Sequence, residues 1–212
     1  MSDAHLREIS GPSGSLEALL ELPAGALRAV AVFAHPHPLY GGTMHTRAVY
    51  HATKALARVG AAVLRFNFRG VGASDGAHDG GPGEIADYRA ALDYLAARYP
   101  GLPLWAAGFS FGSWVAWSAG IDNERVALLL GLGLPVNLFD FGPVKDCAKA
   151  KFLIHGDRDE VIPLREVRKF YAELHEPKDL VVIEDADHLF DGRTSEVGEA
   201  VEDLLAGWEG QP

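Results

Sequence analysis

Apolar positions along this chain fall into two patterns. Short, nearly continuous apolar runs occupy residues 29–34, 61–68, 104–108, 126–132, 151–155 and 180–183, and each is short enough to be a strand. Residues 29–34 (Ala-Val-Ala-Val-Phe-Ala) show no alternation, which marks a strand covered on both faces. Residues 16–22 predict a further strand that stops at Pro23. Between the runs the spacing becomes helical. Residues 46–59 place Val49, Ala52, Leu56 and Val59 on one face and stop at Gly60. Residues 84–98 end at Pro100-Gly101, and residues 113–119, 164–175 and 197–208 complete the helical set. Strand and helix alternate from residue 29 onward. That order predicts an α/β architecture, a mostly parallel twisted sheet with helices on both faces. No repeat or long linker interrupts it, so residues 1–212 are expected to form a single domain. Such sheets bind ligands at the carboxyl ends of their strands. Function is therefore expected in the loops 35–42, 69–82, 108–112, 133–147, 155–163 and 184–192.

One of these loops carries a chemical signature. The apolar run that begins at Leu104 stops at Gly108, the first residue of Gly108-Phe109-Ser110-Phe111-Gly112, and a helix-forming stretch follows at once. This is G-x-S-x-G between a strand and a helix. The geometry needs both glycines, because the serine backbone is forced to positive φ and side chains at 108 and 112 would strike neighbouring backbone. The turn lifts the Ser110 hydroxyl clear of the sheet. It also aims the first free helix N–H, that of Phe111, at any oxygen bound beside it.

Charge and composition narrow the partners. The net charge of −10 disfavours nucleic acid and anionic membranes. The only cysteine, Cys147, excludes an internal disulfide and reads as a bystander thiol. Residues 1–5 show no signal peptide, and no apolar run is long enough to span a bilayer, so a cytoplasmic location is expected.

A serine hydroxyl becomes nucleophilic when a base takes its proton, and the base needs a carboxylate to hold its tautomer. Two loops supply candidates: His155-Gly156-Asp157-Arg158-Asp159-Glu160, and Glu184-Asp185-Ala186-Asp187-His188. Asp157, Asp159 and Glu160 compete for the acid. The chain order is serine, acid, histidine.

At this point the chain resembles the α/β-hydrolase superfamily. More narrowly it is similar to compact bacterial hydrolases of the dienelactone-hydrolase-like group. The resemblance rests on four features in order: His35-Pro36-His37-Pro38-Leu39-Tyr40-Gly41-Gly42, Arg69-Gly70-x-Gly72-x-Ser74-Asp75, the G-x-S-x-G turn, and His155-Gly156-x-x-Asp159 followed by His188. It implies Ser110 as nucleophile, Asp159 as acid and His188 as base, with Asp157 forming a turn. It also implies an oxyanion hole made by the Phe111 N–H and a second N–H from the 35–42 loop. Relatives often have glycine where this chain has Pro36. Pro36 and Pro38 carry no N–H, so His37 is the expected donor, with Leu39 or Tyr40 as substitutes. A cis bond before Pro38 is left open. His35 is expected to pack beneath the turn and hold the loop. His35 and His37 lack a third ligand at matching spacing, so no metal is expected, and no cofactor. His45, His51, His78 and His175 have no motif around them. The Arg69–Asp75 loop lacks the Gly-Lys-Ser/Thr ending of a phosphate loop and reads as structural.

The segment 133–147 is too short for a cap of several helices, so no large cap domain is expected. Leu39, Tyr40, Phe109, Phe111, Leu138, Phe139 and Phe141 are candidates to line the site, with Leu39, Tyr40 and Phe139 chosen for substrate contact; Trp105, Trp114 and Trp117 read as packing. The expected activity is hydrolysis of small carboxylic esters through an acyl-enzyme. Thioesters, lactones and short peptides suit the same triad. A non-catalytic ligand-binding protein of the same fold is the alternative from another class. A homodimer is left open.

Overall fold

A computed structural model describes residues 4–208. The order of elements is β1 (Ala4–Gly11), β2 (Gly14–Glu21), β3 (Ala29–Ala34), α1 (Arg47–Arg58), β4 (Ala61–Phe66), α2 (Pro82–Arg98), β5 (Leu104–Phe109), α3 (Phe111–Gly120), β6 (Val126–Leu132), β7 (Ala150–Gly156), α4 (Leu164–Glu173), β8 (Lys178–Ile183) and α5 (Thr194–Ala206). The strands form one eight-stranded sheet in the order β1-β2-β4-β3-β5-β6-β7-β8. From β4 to β8 every pairing is parallel. β1 and β2 add an antiparallel hairpin at the β4 edge.

The strand at β1 was not expected from the sequence. Its pairing with β2, from Ala4 opposite Glu21 to Gly11 opposite Gly14, is a long-hairpin register that local apolar runs do not announce. Residues 1–3 of the amino-terminal segment that was read for a signal peptide lie outside the described residues. No helix among the described residues is long and apolar enough to cross a membrane.

β3 is buried at every position, and its residues divide by parity. Val30, Val32 and Ala34 face a core closed by α2, α3 and α4; Ala29, Ala31 and Phe33 face a second core closed by α1 and α5. This two-sided burial explains the absence of alternation in the sequence. α2 also sends Tyr88 into the sheet. Its hydroxyl donates to the Val32 carbonyl (2.7 Å) and accepts the Ala107 N–H (2.8 Å), tying β3 to β5 just before the serine turn. Between β6 and β7 the chain forms a loop with one 3-10 turn at Gly142–Val144 and no cap domain.

Candidate active site

The turn after β5 is as tight as the motif requires. Ser110 sits at φ 51° and ψ −122°, a strained conformation that costs about 1–3 kcal/mol. Its N–H donates to the Leu132 carbonyl at 2.8 Å, which fastens the turn to the end of β6. A β-carbon at Gly108 would collide with the Gly112 carbonyl, and one at Gly112 with the His35 carbonyl. The turn is thus wedged between its own helix and the end of β3. The N–H groups of Ser113 and Trp114 return to the Ser110 carbonyl, whereas that of Phe111 has no partner among the described residues. Two such orphan-donor positions are what an oxyanion requires.

The acid and the base arrive from β7 and β8. Gly156 has no room for a side chain, because a β-carbon there would strike the Ala186 carbonyl. That closeness lets Asp157 N–H reach the Ile183 carbonyl (3.1 Å) and Arg158 N–H the Ala186 carbonyl (3.0 Å), so the two loops are stitched together. The Asp159 side chain is fully buried. Its Oδ1 accepts the N–H groups of Val161 (2.9 Å) and Ile162 (2.7 Å), and its Oδ2 faces His188 Nδ1 at 2.7 Å. His188 Nε2 lies 3.0 Å from Ser110 Oγ. An N–H at Nδ1 held by the carboxylate leaves Nε2 free to accept the serine proton. The predicted Ser110, His188 and Asp159 are therefore adjacent in one chain of hydrogen bonds. Asp157 and Glu160 are exposed and point to no part of it. Asp185 pairs with Arg158 and Arg193, and exposed Asp187 accepts the Asp191 N–H.

His155 braces this loop from beneath. Its buried Nε2–H donates to the Ile162 carbonyl at 2.8 Å, and the N–H of that same residue serves Asp159. Burial holds the His155 pKa below its ordinary value, so the ring is neutral.

The loop after β3 forms the other flank. His35 is fully buried; its Nε2 accepts the Phe68 N–H (3.1 Å) and its Nδ1–H donates to the Pro36 carbonyl (2.6 Å). Both ring nitrogens are engaged, which removes the two-histidine metal arrangement. Burial pushes the His35 pKa down to about 4, again a neutral ring. His37 caps a 3-10 turn, Pro38–Tyr40, by accepting the Leu39 N–H at Nδ1 (3.2 Å). The Tyr40 N–H donates to the His37 carbonyl. The two substitute oxyanion donors are thereby spent within the loop, while the His37 N–H has no partner among the described residues. The bond before Pro38 is trans; the cis bond among the described residues joins Glu176 to Pro177.

Sequence reasoning passed over His78 and Glu84. The His37 ring packs against Phe111 (4.8 Å), Tyr40 (5.0 Å) and His78 (4.9 Å). His78 in turn meets fully buried Glu84 at 2.9 Å, and Glu84 also accepts the Gly81 and Asp79 N–H groups at the start of α2. The Arg69 loop is structural as expected, its guanidinium forked onto buried Asp87 (2.8 and 3.0 Å). No local motif links residues 37, 78, 84 and 111, so only the fold could reveal their contact.

The aromatic candidates divide. Phe139 is half-buried and stacks on Trp114 (4.6 Å) beside Phe111 (5.7 Å), and Trp114, partly buried, packs against the core as expected. Leu39 and Tyr40 are exposed at the mouth. Phe141 is core, packed on Trp117 and Phe170 behind the loop, and does not line the site. Phe109 is core beneath the His188 ring (5.6 Å). Trp105 and Trp117 are core as expected, and Cys147 is partly buried and unpaired. No group of three or more His, Cys, Asp or Glu side chains among the described residues is arranged to hold a metal ion.

Comparison with known proteins agrees with the fold. Residues 26–132 match the family described as serine aminopeptidase, S33. An α/β serine hydrolase homologue from Coxiella burnetii is 36% identical, with a TM-score of 0.91, covering 97% of this chain and 98% of its own. A member of the α/β serine hydrolases without lid from Xanthomonas campestris is 32% identical, with a TM-score of 0.91, covering 100% of this chain and 98% of its own. A dienelactone hydrolase from Anabaena variabilis shares the fold at 21% identity and a TM-score of 0.80, covering 97% of each chain.

Proposed function

Because this chain belongs to the α/β serine hydrolases, we propose that it hydrolyses small carboxylic esters with Ser110 as nucleophile, His188 as base and Asp159 as the orienting acid. The observation that carries the reading is the continuous path from Asp159 through His188 to Ser110, at 2.7 and 3.0 Å. His188 Nε2 takes the hydroxyl proton as Ser110 Oγ attacks the ester carbonyl. Asp159 holds the resulting imidazolium. The Phe111 and His37 N–H groups take the oxyanion. Collapse expels the alcohol, which receives its proton from His188. Water then enters and attacks the acyl carbonyl as it gives a proton to His188; collapse breaks the bond to Ser110 Oγ, which takes that proton back from His188, and the acid leaves. Leu39, Tyr40 and Phe139 flank the bound ester.

A second reading comes from the family description, which names an aminopeptidase. The same three residues serve an amide if the site also holds the substrate's amino group. Thioesters and lactones need only a change of pocket.

The test is hydrolysis of 4-nitrophenyl acetate beside a thioester, a lactone and an aminoacyl 4-nitroanilide, with a fluorophosphonate probe in parallel. Ester turnover and stoichiometric labelling are expected, and Ser110→Ala should abolish both, leaving only about 10³–10⁴-fold acceleration over water. Ester turnover undiminished in Ser110→Ala defeats the reading. Failure of the wild type to label assigns the fold to ligand binding without catalysis. Faster turnover of the anilide than of the ester favours the peptidase.

A further inference from the structure

Seven large apolar side chains among the described residues are strongly exposed: Leu22, Leu39, Tyr40, Tyr50, Leu138, Val161 and Leu189. Isolated exposed apolar residues are ordinary and need no explanation. These are not scattered. Leu22 follows β2 and Tyr50 lies on α1, but the other five all stand on loops that leave the carboxyl ends of β3, β6, β7 and β8, around the Ser110 turn after β5. Their exposures are 72% for Leu39, 88% for Tyr40, 60% for Leu138, 51% for Val161 and 52% for Leu189.

Each stands beside a residue that packs on or belongs to the reacting groups. Leu39 and Tyr40 belong to the turn capped by His37, whose ring lies on Phe111. Leu138 precedes Phe139, which packs on Phe111 and Trp114. Asn137 Nδ2 donates to the Val161 carbonyl at 3.2 Å, joining the loop after β6 to the loop that holds Asp159. Leu189 follows His188. With no cap between β6 and β7, these side chains stand on the open loops that surround the Ser110 turn.

We infer that the substrate class is neutral esters whose apolar chain reaches beyond the reacting carbonyl and lies against this rim. The rim selects against a charged chain end. Asp140, Glu160 and Asp187 stand within two residues of Leu138, Val161 and Leu189, while the nearby cations are engaged: Arg158 with Asp185, Arg193 with Glu196, and Lys145 with Glu173. A terminal carboxylate on the substrate meets like charge beside Leu138, Val161 and Leu189, where these three cations are already held by carboxylates.

The inference rests on the esterase reading, so the experiment separates the two. The probes are 4-nitrophenyl acetate, butanoate, hexanoate and octanoate, and the 4-nitrophenyl monoester of suberic acid, which matches octanoate in length and ends in a carboxylate. The esterase reading stands on the acetate rate alone. The rim is read from kcat/KM relative to acetate, which should rise about twofold per added methylene, short of the gain from full burial. The suberate monoester should fall back to near the acetate value. Leu138→Ser/Val161→Ser and Leu39→Ser/Tyr40→Ser should each cut the octanoate-to-acetate ratio at least fivefold. Leu22→Ser, an exposed apolar site away from the mouth, should leave the ratio unchanged. A flat chain-length profile, or a suberate monoester as good as octanoate, overturns the inference while leaving ester hydrolysis intact. Sedimentation provides the remaining arm. A wild-type dimer that the rim variants dissolve would assign the mouth to a second copy of the chain and overturn it as well.

Discussion

The two flanks of Ser110 are built by different means. On the β7–β8 side, backbone does the holding. Asp159 is fixed by two peptide N–H groups, its loop is laced to the His188 loop by two more, and Gly156 is the close approach that permits the lacing. On the β3 side, rings do the holding. His37 is clasped by Phe111, Tyr40 and His78, and His78 is moored to a buried carboxylate on another element. A buried neutral histidine underlies each flank, His155 on the first and His35 on the second. The difference follows from the task. A proton path tolerates little drift along two donor–acceptor lines, so both ends are tied to backbone. The second oxyanion donor of the proposed mechanism is a backbone N–H whose loop contains two prolines and few donors, and in that mechanism side-chain packing places it.

The largest expected effect attacks the proton side alone. Asp159→Asn preserves the shape and can keep the Val161 and Ile162 contacts, but it presents an amide to His188 Nδ1 and favours the wrong tautomer. A fall in kcat of about 10⁴-fold is expected, with the fold unchanged by circular dichroism. A loss under about tenfold would mean that the backbone lacing does not serve the acid's charge, and the contrast between the flanks would lose its first half.

The next effect concerns the histidine under the β3 flank and is read as stability. The folded value for His35 is about 4, against an ordinary value of 6.5. Between those pH values the unfolded chain binds more protons than the folded one, so stability is full above about 6.5 and falls as pH drops toward 4. Over that window the loss approaches roughly 3 kcal/mol. His155 is lowered too and acts in the same direction. Urea unfolding at pH 7.0, 5.5 and 4.5 should show the fall. His35→Gln should be less stable at pH 7 yet lose less on acidification. Equal slopes for the two proteins would show that His35 does not carry the dependence.

The same contrast explains what could be read from the sequence. The sheet was legible because unbroken runs such as Ala29–Ala34 and Val126–Leu132 have both faces buried, and the serine turn because Gly108 and Gly112 admit no substitute. On the β7–β8 flank the residues alone left Asp157, Asp159 and Glu160 in competition; the resemblance singled out Asp159, the one of the three whose side chain is buried and fastened by backbone N–H groups. The β3 flank was half legible. The prolines excluded themselves as donors and left His37 as the expected one, but that the substitutes Leu39 and Tyr40 spend their N–H groups inside a 3-10 turn could not be read from the chain. β1 escaped because a hairpin partner is set by pairing rather than by its own apolar content. Phe141 was misplaced at the site because a loop residue cannot be sorted into wall and core until the loop's path over α3 is known.

His78 sharpens the second half of the comparison with the smallest expected effect. It touches no reacting atom; it is a positioning residue that walls the His37 ring. Removing an oxyanion donor outright costs about 10²–10³ in kcat, and a donor that is loosened rather than lost should cost roughly tenfold. His78→Ala is expected to lower kcat by that amount with KM little changed, since the donor is stronger for the oxyanion than for the ester carbonyl. His78→Phe separates packing from charge: it keeps an aromatic wall against His37 and Phe111 but gives up the bond to Glu84. If rings set the donor, kcat in His78→Phe stays within about threefold of wild type. If the phenylalanine variant is as impaired as the alanine one, the buried Glu84 bond is what fixes the flank. The β3 side would then be held by a polar anchor like its neighbour, and the two flanks would differ only in which element supplies it.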